Sequence, residues 1–75
     1  MIDDFWKRIE IMLVLRGKKN LKRFCEEAGI QYQTIINQKY LHKYPSIPVL
    51  IAFSKNLDCS IDWLLRGDGK NPLVD

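Results

Sequence analysis

One glycine, Gly29, separates two short stretches of helical periodicity, and no other feature limits the possible folds so sharply. Leu21, Phe24, Cys25 and Ala28 stand at i, i+3, i+4 and i+7, which places them on one face of a helix. The pattern halts at Gly29, the residue type that most readily takes the left-handed conformation closing a helix. Asn20 precedes Leu21, where a side-chain oxygen accepts from an open N–H of the helix start. Ile30 then reads as a buried turn residue. Gln31 to Lys39 reads as a second helix, with Thr34 and Ile35 inward and Tyr32, Gln33, Ile36 and Asn37 on its other faces. Two short helices hinged in this way form a helix-turn-helix, an arrangement that presents its second helix to the DNA major groove.

The remaining segments supply a frame. A first helix is predicted to start after Asp3 or Asp4 and to run to about Arg16, where Gly17 stops it. Phe5, Ile9, Met12 and Leu13 form its inward stripe; Trp6, Ile11, Val14 and Leu15 widen the apolar surface beyond one side and call for a partner, either later helices or a second copy of the chain. Leu41 to Ser46 has no helical period, and Pro45 biases Tyr44 toward extended backbone, so this is a loop. Ser46 offers an N-cap, Pro48 is tolerated in a first turn, and Val49, Leu50, Phe53 and Leu57 form the stripe of a fourth helix packing on the motif. Ser60 caps a short fifth helix, Ile61 to Arg66, with Ile61, Leu64 and Leu65 inward and Gly67 as its stop. No alternation of polar and apolar residues lasts for a strand's length. The fold class is therefore all-α: five short helices in one domain over residues 3–67, with 68–75 as a tail or the beginning of a linker.

Composition narrows the function. With 75 residues the chain has room for one modest core and none for a deep substrate pocket, so an enzyme is not expected. The net charge is only +3, but between Arg16 and Lys43 seven cations (Arg16, Lys18, Lys19, Lys22, Arg23, Lys39, Lys43) face two anions (Glu26, Glu27), and each flank carries −1. Positive charge thus concentrates around the motif, as an approach to phosphates requires; an ordinary solvated lysine-rich face has the same composition. Cys25 and Cys59 form no CxxC pair, and one histidine does not make a Cys/His zinc site, so both read as reduced packing residues and neither a metal nor a cofactor is expected. His42 has no sequence-visible nucleophile or carboxylate partner. The acidic Met1 to Asp4 lacks the basic start of a signal peptide and Ile11 to Leu15 is far too short to span a bilayer, so the expected compartment is the cytoplasm.

With the capped helices, Gly29, the Pro45-Ser46 step and the closing Ser60-x-Asp62-Trp63-Leu64-Leu65-x-Gly67 in place, the chain resembles the lambda-repressor-like helix-turn-helix family, more narrowly its phage CI-repressor type. The resemblance spans Phe5 to Gly67. It implies that Phe24, Ala28, Ile30 and Ile35 are buried and that Tyr32, Gln33, Ile36 and Asn37 contact bases. Gln33 and Asn37 each have the paired donor and acceptor that match the N6/N7 edge of adenine, while Tyr32 and Ile36 suit thymine methyl groups. Phosphate contacts are expected from Asn20 and Lys22 at the start of the second helix, and from Lys39, Tyr40 and Lys43 past the third, with Lys18 and Lys19 nearby. The chain departs from the family at four positions. Leu21 replaces the glutamine that commonly braces the first phosphate and base, Cys25 an alanine, Gln38 an apolar residue, and Leu41 the glycine after the third helix. Gln38 is then either hydrogen-bonded at a half-buried site or exposed by a shortened helix.

Two functions fit these observations. The first is a sequence-specific regulator of transcription that binds double-stranded DNA, a repressor whose homodimer reads a pseudo-palindromic operator with two third helices about 34 Å apart. Its dimer surface would come from Trp6, Ile11 and Val14, or from Trp63 and the tail. The second is a protein-interaction module, antitoxin-like or scaffolding, that keeps the fold without reading DNA. Leu21, and Ile36 beside Tyr32, favour the second.

Overall fold

Each helix forms where the apolar spacing and the caps agree, and the computed structural model, which describes residues 2–69 and 71–73, contains five of them. They are α1 (Ile2–Leu15), α2 (Leu21–Ala28), α3 (Tyr32–Tyr40), α4 (Ile47–Leu57) and α5 (Ile61–Arg66). No strand occurs among the described residues. Helix α1 starts at Ile2, earlier than expected, so Asp3 and Asp4 lie inside its first turn, where they still favour the positive end of the helix dipole. Helix α3 is shifted one residue along the chain from Gln31–Lys39. Asn20 and Ser60 cap as expected: Arg23 N–H donates to Asn20 Oδ1 at 2.8 Å and Trp63 N–H to Ser60 Oγ at 3.0 Å. Ser46 occupies the N-cap of α4 without a side-chain hydrogen bond. Of the expected tail, residues 70, 74 and 75 lie outside the described residues.

All five helices end on a left-handed residue. Three of these are the expected glycines, and the other two are His42 (φ 56°) and Asp58 (φ 52°). At the end of α2, Gly29 N–H donates to Glu26 O at 3.4 Å and Ile30 N–H to Cys25 O at 2.8 Å, the paired bonds of a Schellman turn. The end of α3 repeats them, from His42 N–H to Lys39 O at 3.2 Å and from Lys43 N–H to Gln38 O at 2.8 Å. The special backbone position after α3 is therefore His42 and not Leu41, because α3 continues to Tyr40. A Cβ at Gly29 would meet no atom within 4 Å, so Gly29→Ala isolates the backbone strain of φ 73°. We expect a loss of about 1 kcal/mol, read in a thermal melt as a midpoint lower by about 4–8 °C. An unchanged midpoint would mean that the turn is not held in this conformation.

The core is assembled on α1. Phe5, Ile9, Met12 and Leu13 are buried as the stripe predicted, and α1 packs on α2, α4 and α5. Phe5 is ringed by aromatics, with centroids of Trp6, Tyr44 and Phe53 at 4.9, 5.5 and 6.5 Å, all edge-on. Phe53 of α4 stacks on Phe24 of α2 at 5.7 Å, which couples α4 directly to α2. Trp6 and Trp63 are both core residues, which removes them from the expected dimer surface; Ile11 and Val14 stay exposed. Ile35 is buried, but Thr34 is exposed and its hydroxyl donates to Gln31 Oε1 at 3.0 Å, so only one of the two residues expected inward from α3 is inward. A helix of nine residues turned by Ile35 toward the core carries its immediate neighbour about 100° away.

Arg8 of α1 and Arg16, just past its end, close the ends of other helices. Arg16 donates from Nε to Leu57 O at 2.8 Å and from Nη2 to Asp58 O at 2.9 Å, satisfying carbonyls that α4 leaves open. Arg8 Nη1 reaches Leu64 O in α5 at 3.3 Å. The cysteines are free. Burial pushes both thiols up; at Cys59 the Arg16 guanidinium opposes that shift and the Asp58 carboxylate adds to it. Both are accordingly thiols rather than reactive thiolates at neutral pH. Among the described residues, no helix is long and apolar enough to cross a membrane.

Candidate nucleic-acid interface

Burial of Ile35 decides which edge of α3 faces out. Gln33 and Asn37, one helical turn apart, are exposed, while Tyr32 and Ile36 are half-buried at the borders of that edge. Tyr32 packs in part against the core. Gln33 Nε2 donates to Asn37 Oδ1 at 3.1 Å, so the two amides hold each other. This bond uses one hydrogen of Gln33 and leaves its Oε1 and second Nε2 hydrogen available, the acceptor and donor that a bidentate contact to an adenine edge needs. The structure thus brings together four of the expected base-contact residues on one outward edge.

The start of α2 carries a second cluster. Lys19, Asn20, Lys22, Arg23 and Glu26 line an open depression of about 140 Å³. Asn20 caps Arg23 N–H with its side chain, and its carbonyl accepts from Phe24 N–H at 3.0 Å. Leu21 and Lys22 N–H groups have no intrahelical acceptor at this position, so the helix end adds its partial positive charge to the three cations. Such a depression suits an anion. Arg23 belongs to it although it was not expected among the contact residues, and its place in the first turn after Asn20 was the signal for it. Leu21 is half-buried against the core and takes no part in this surface.

At the exit of α3, Tyr40 is 82% exposed and Lys43 is exposed. Lys39 is not free there: its Nζ donates to Glu10 Oε1 of α1 at 2.6 Å. Beside it, His42 Nδ1 meets Asp3 Oδ1 at 2.7 Å. His42 therefore has a carboxylate partner in the fold, one that is not visible in the sequence. Arg16 is also withdrawn from the charge cluster, since its guanidinium is committed to the end of α4. Gln38 follows neither expectation, being half-buried with an Oε1 that finds no hydrogen-bond partner among the described residues. No sequence pattern announces the α1 carboxylates, which lie 29 and 39 positions from their partners.

Among the described residues, no three metal-ligating side chains come together. No family model, curated protein or solved structure matches the chain. The molecule is defined by its own features: an all-helical five-helix fold with an outward polar edge on α3, a cluster of cations at the α2 start and further cations at the α3 exit.

Proposed function

We propose that this chain is a sequence-specific double-stranded DNA-binding regulator of transcription, with a lambda-repressor-like helix-turn-helix formed by α2 and α3. The observation that carries the reading is the braced and exposed amide pair of Gln33 and Asn37 on α3, in a chain that also carries a cationic depression at the α2 start and cations at the α3 exit. In this reading α3 enters the major groove, with Tyr32, Gln33, Ile36 and Asn37 against base edges. Asn20, Lys22, Tyr40 and Lys43, together with Lys39, contact phosphates on either side. Covering a promoter makes the protein a repressor. Two copies on a pseudo-palindromic operator double the read sequence, and Ile11, Val14 and Leu15 are apolar residues of α1 left open for contact between them.

A second reading is a protein-interaction module. It is favoured by an exposed apolar run that passes from Tyr40 and Leu41 through Tyr44 to Ile47 and Ile51. Selection of bound duplexes from a randomised DNA pool at two salt concentrations separates the two. Recovery of two half-sites about one helical turn apart, with retention falling steeply with salt, is the expected result. An absence of retained DNA at low salt would overturn it in favour of a protein partner.

A further inference from the structure

Two carboxylates of α1 reach across to the exit of α3. Asp3 and Glu10 are seven residues apart, about two turns, and so share one edge of α1. Glu10 accepts from Lys39 at 2.6 Å, and Asp3 lies 2.7 Å from His42 Nδ1. An ionised carboxylate has only lone pairs to offer, so the Nδ1 hydrogen belongs to His42. Lys39 and His42 bracket Tyr40 and stand beside Lys43, which makes this the cationic end of the proposed recognition surface. All four paired side chains remain between 36% and 67% exposed. Pairs in contact with water exchange readily for another anion.

Resting on the DNA-binding reading, we propose that Asp3 and Glu10 are internal stand-ins for backbone phosphates, occupying the α3 exit in the free protein and lowering its affinity for DNA. Carboxylate and phosphate oxygens accept the same hydrogens of the same cations. A phosphate docking at Lys39 must therefore displace Glu10, and the displaced carboxylate stays near the phosphate and repels it. Affinity is reduced for every sequence alike, because the contact carries no base information. A brace would have the reverse sign: if Glu10 served to hold the α3 exit in place, removing it would weaken binding.

The test is duplex affinity of the full chain over a salt series, with DNA of arbitrary sequence. Glu10→Gln is expected to bind about two- to fivefold tighter at moderate salt, with a steeper dependence on salt. Asp3→Asn should shift affinity in the same direction. In a Lys39→Met background Glu10→Gln should gain no more than Asp62→Asn does in the parent, since the pair is already gone and only the general effect of charge remains. Asp62→Asn removes the same unit of charge from a carboxylate that holds Arg66 within α5, and measures the general effect of charge. Weaker binding by Glu10→Gln, an equal gain in the Lys39→Met background, or a gain no larger than that of Asp62→Asn would overturn the proposal. A parent chain with no salt-dependent DNA affinity would overturn the DNA-binding reading, and this inference with it.

Discussion

Phe53→Ala is expected to cost about 3–5 kcal/mol. A single small core rarely supplies more than about 3–5 kcal/mol of net stability, so the variant should be largely unfolded at 25 °C. The reason is position as much as size. Phe53 is fully buried, stacks on Phe24 of α2 and meets the edge of Phe5 of α1, so its removal opens a void where three helices converge. Ile51→Ala, two residues away on the outer side of α4, should stay within about 0.5 kcal/mol of the parent. Urea unfolding followed through Trp6 and Trp63, both buried, reports either change. A Phe53→Ala midpoint close to that of the parent would show that the aromatic stack does not tie α4 to α2.

Gln33→Ala tests recognition rather than folding. If α3 reads bases, the loss should appear as about 1–3 kcal/mol less discrimination at one base-pair position, with little change for non-cognate DNA. The side chain is exposed and its amide bonds only Asn37 in the hydrogen bonds described, so the fold should not notice its absence. Lys43→Ala should do the opposite, weakening all sequences equally and reducing the salt slope by about 0.9. Competition between the selected operator and its single-base variants distinguishes these outcomes. An equal loss of discrimination from both substitutions would contradict the division of roles between amide and ammonium.

What was legible in the sequence was local. The stripe of Phe5, Ile9, Met12 and Leu13, the caps at Asn20 and Ser60, and the turn at Gly29 each depend on residues a few positions apart, and each is present in the structure. The outward edge of α3 was legible for the same reason, since Ile35 alone sets which side is buried. Thr34 misled because a short polar helix has little periodicity from which to fix its rotation. Trp6 and Trp63 were read as candidates for docking because a helix with apolar residues on several sides does not say which ones later helices will cover. Arg16 counted as a DNA-facing cation until the fold brought Leu57 and Asp58 to it, 41 and 42 positions away. His42 escaped notice as a left-handed residue because the family resemblance sets its glycine against Leu41, and no periodicity marks a histidine that takes the left-handed conformation one residue later.

The packing of α5 and α4 onto α1 has a consequence for how recognition could be moved or altered. Helices α2 and α3 have eight and nine residues, whereas isolated helices shorter than about 12–15 residues are marginal in water. Neither is expected to persist without Phe5 and Phe53 behind it, and Arg8 of α1 and Arg16 just past its end in turn bond helices that come much later in the chain. The five helices are thus expected to unfold as one cooperative unit: a peptide cut from residues 20 to 40 would carry the letters of the proposed interface without its shape. If α3 reads bases as proposed, new specificity is to be sought by exchanging its outward residues inside the intact frame, and grafting the frame whole is the way to carry the old one elsewhere.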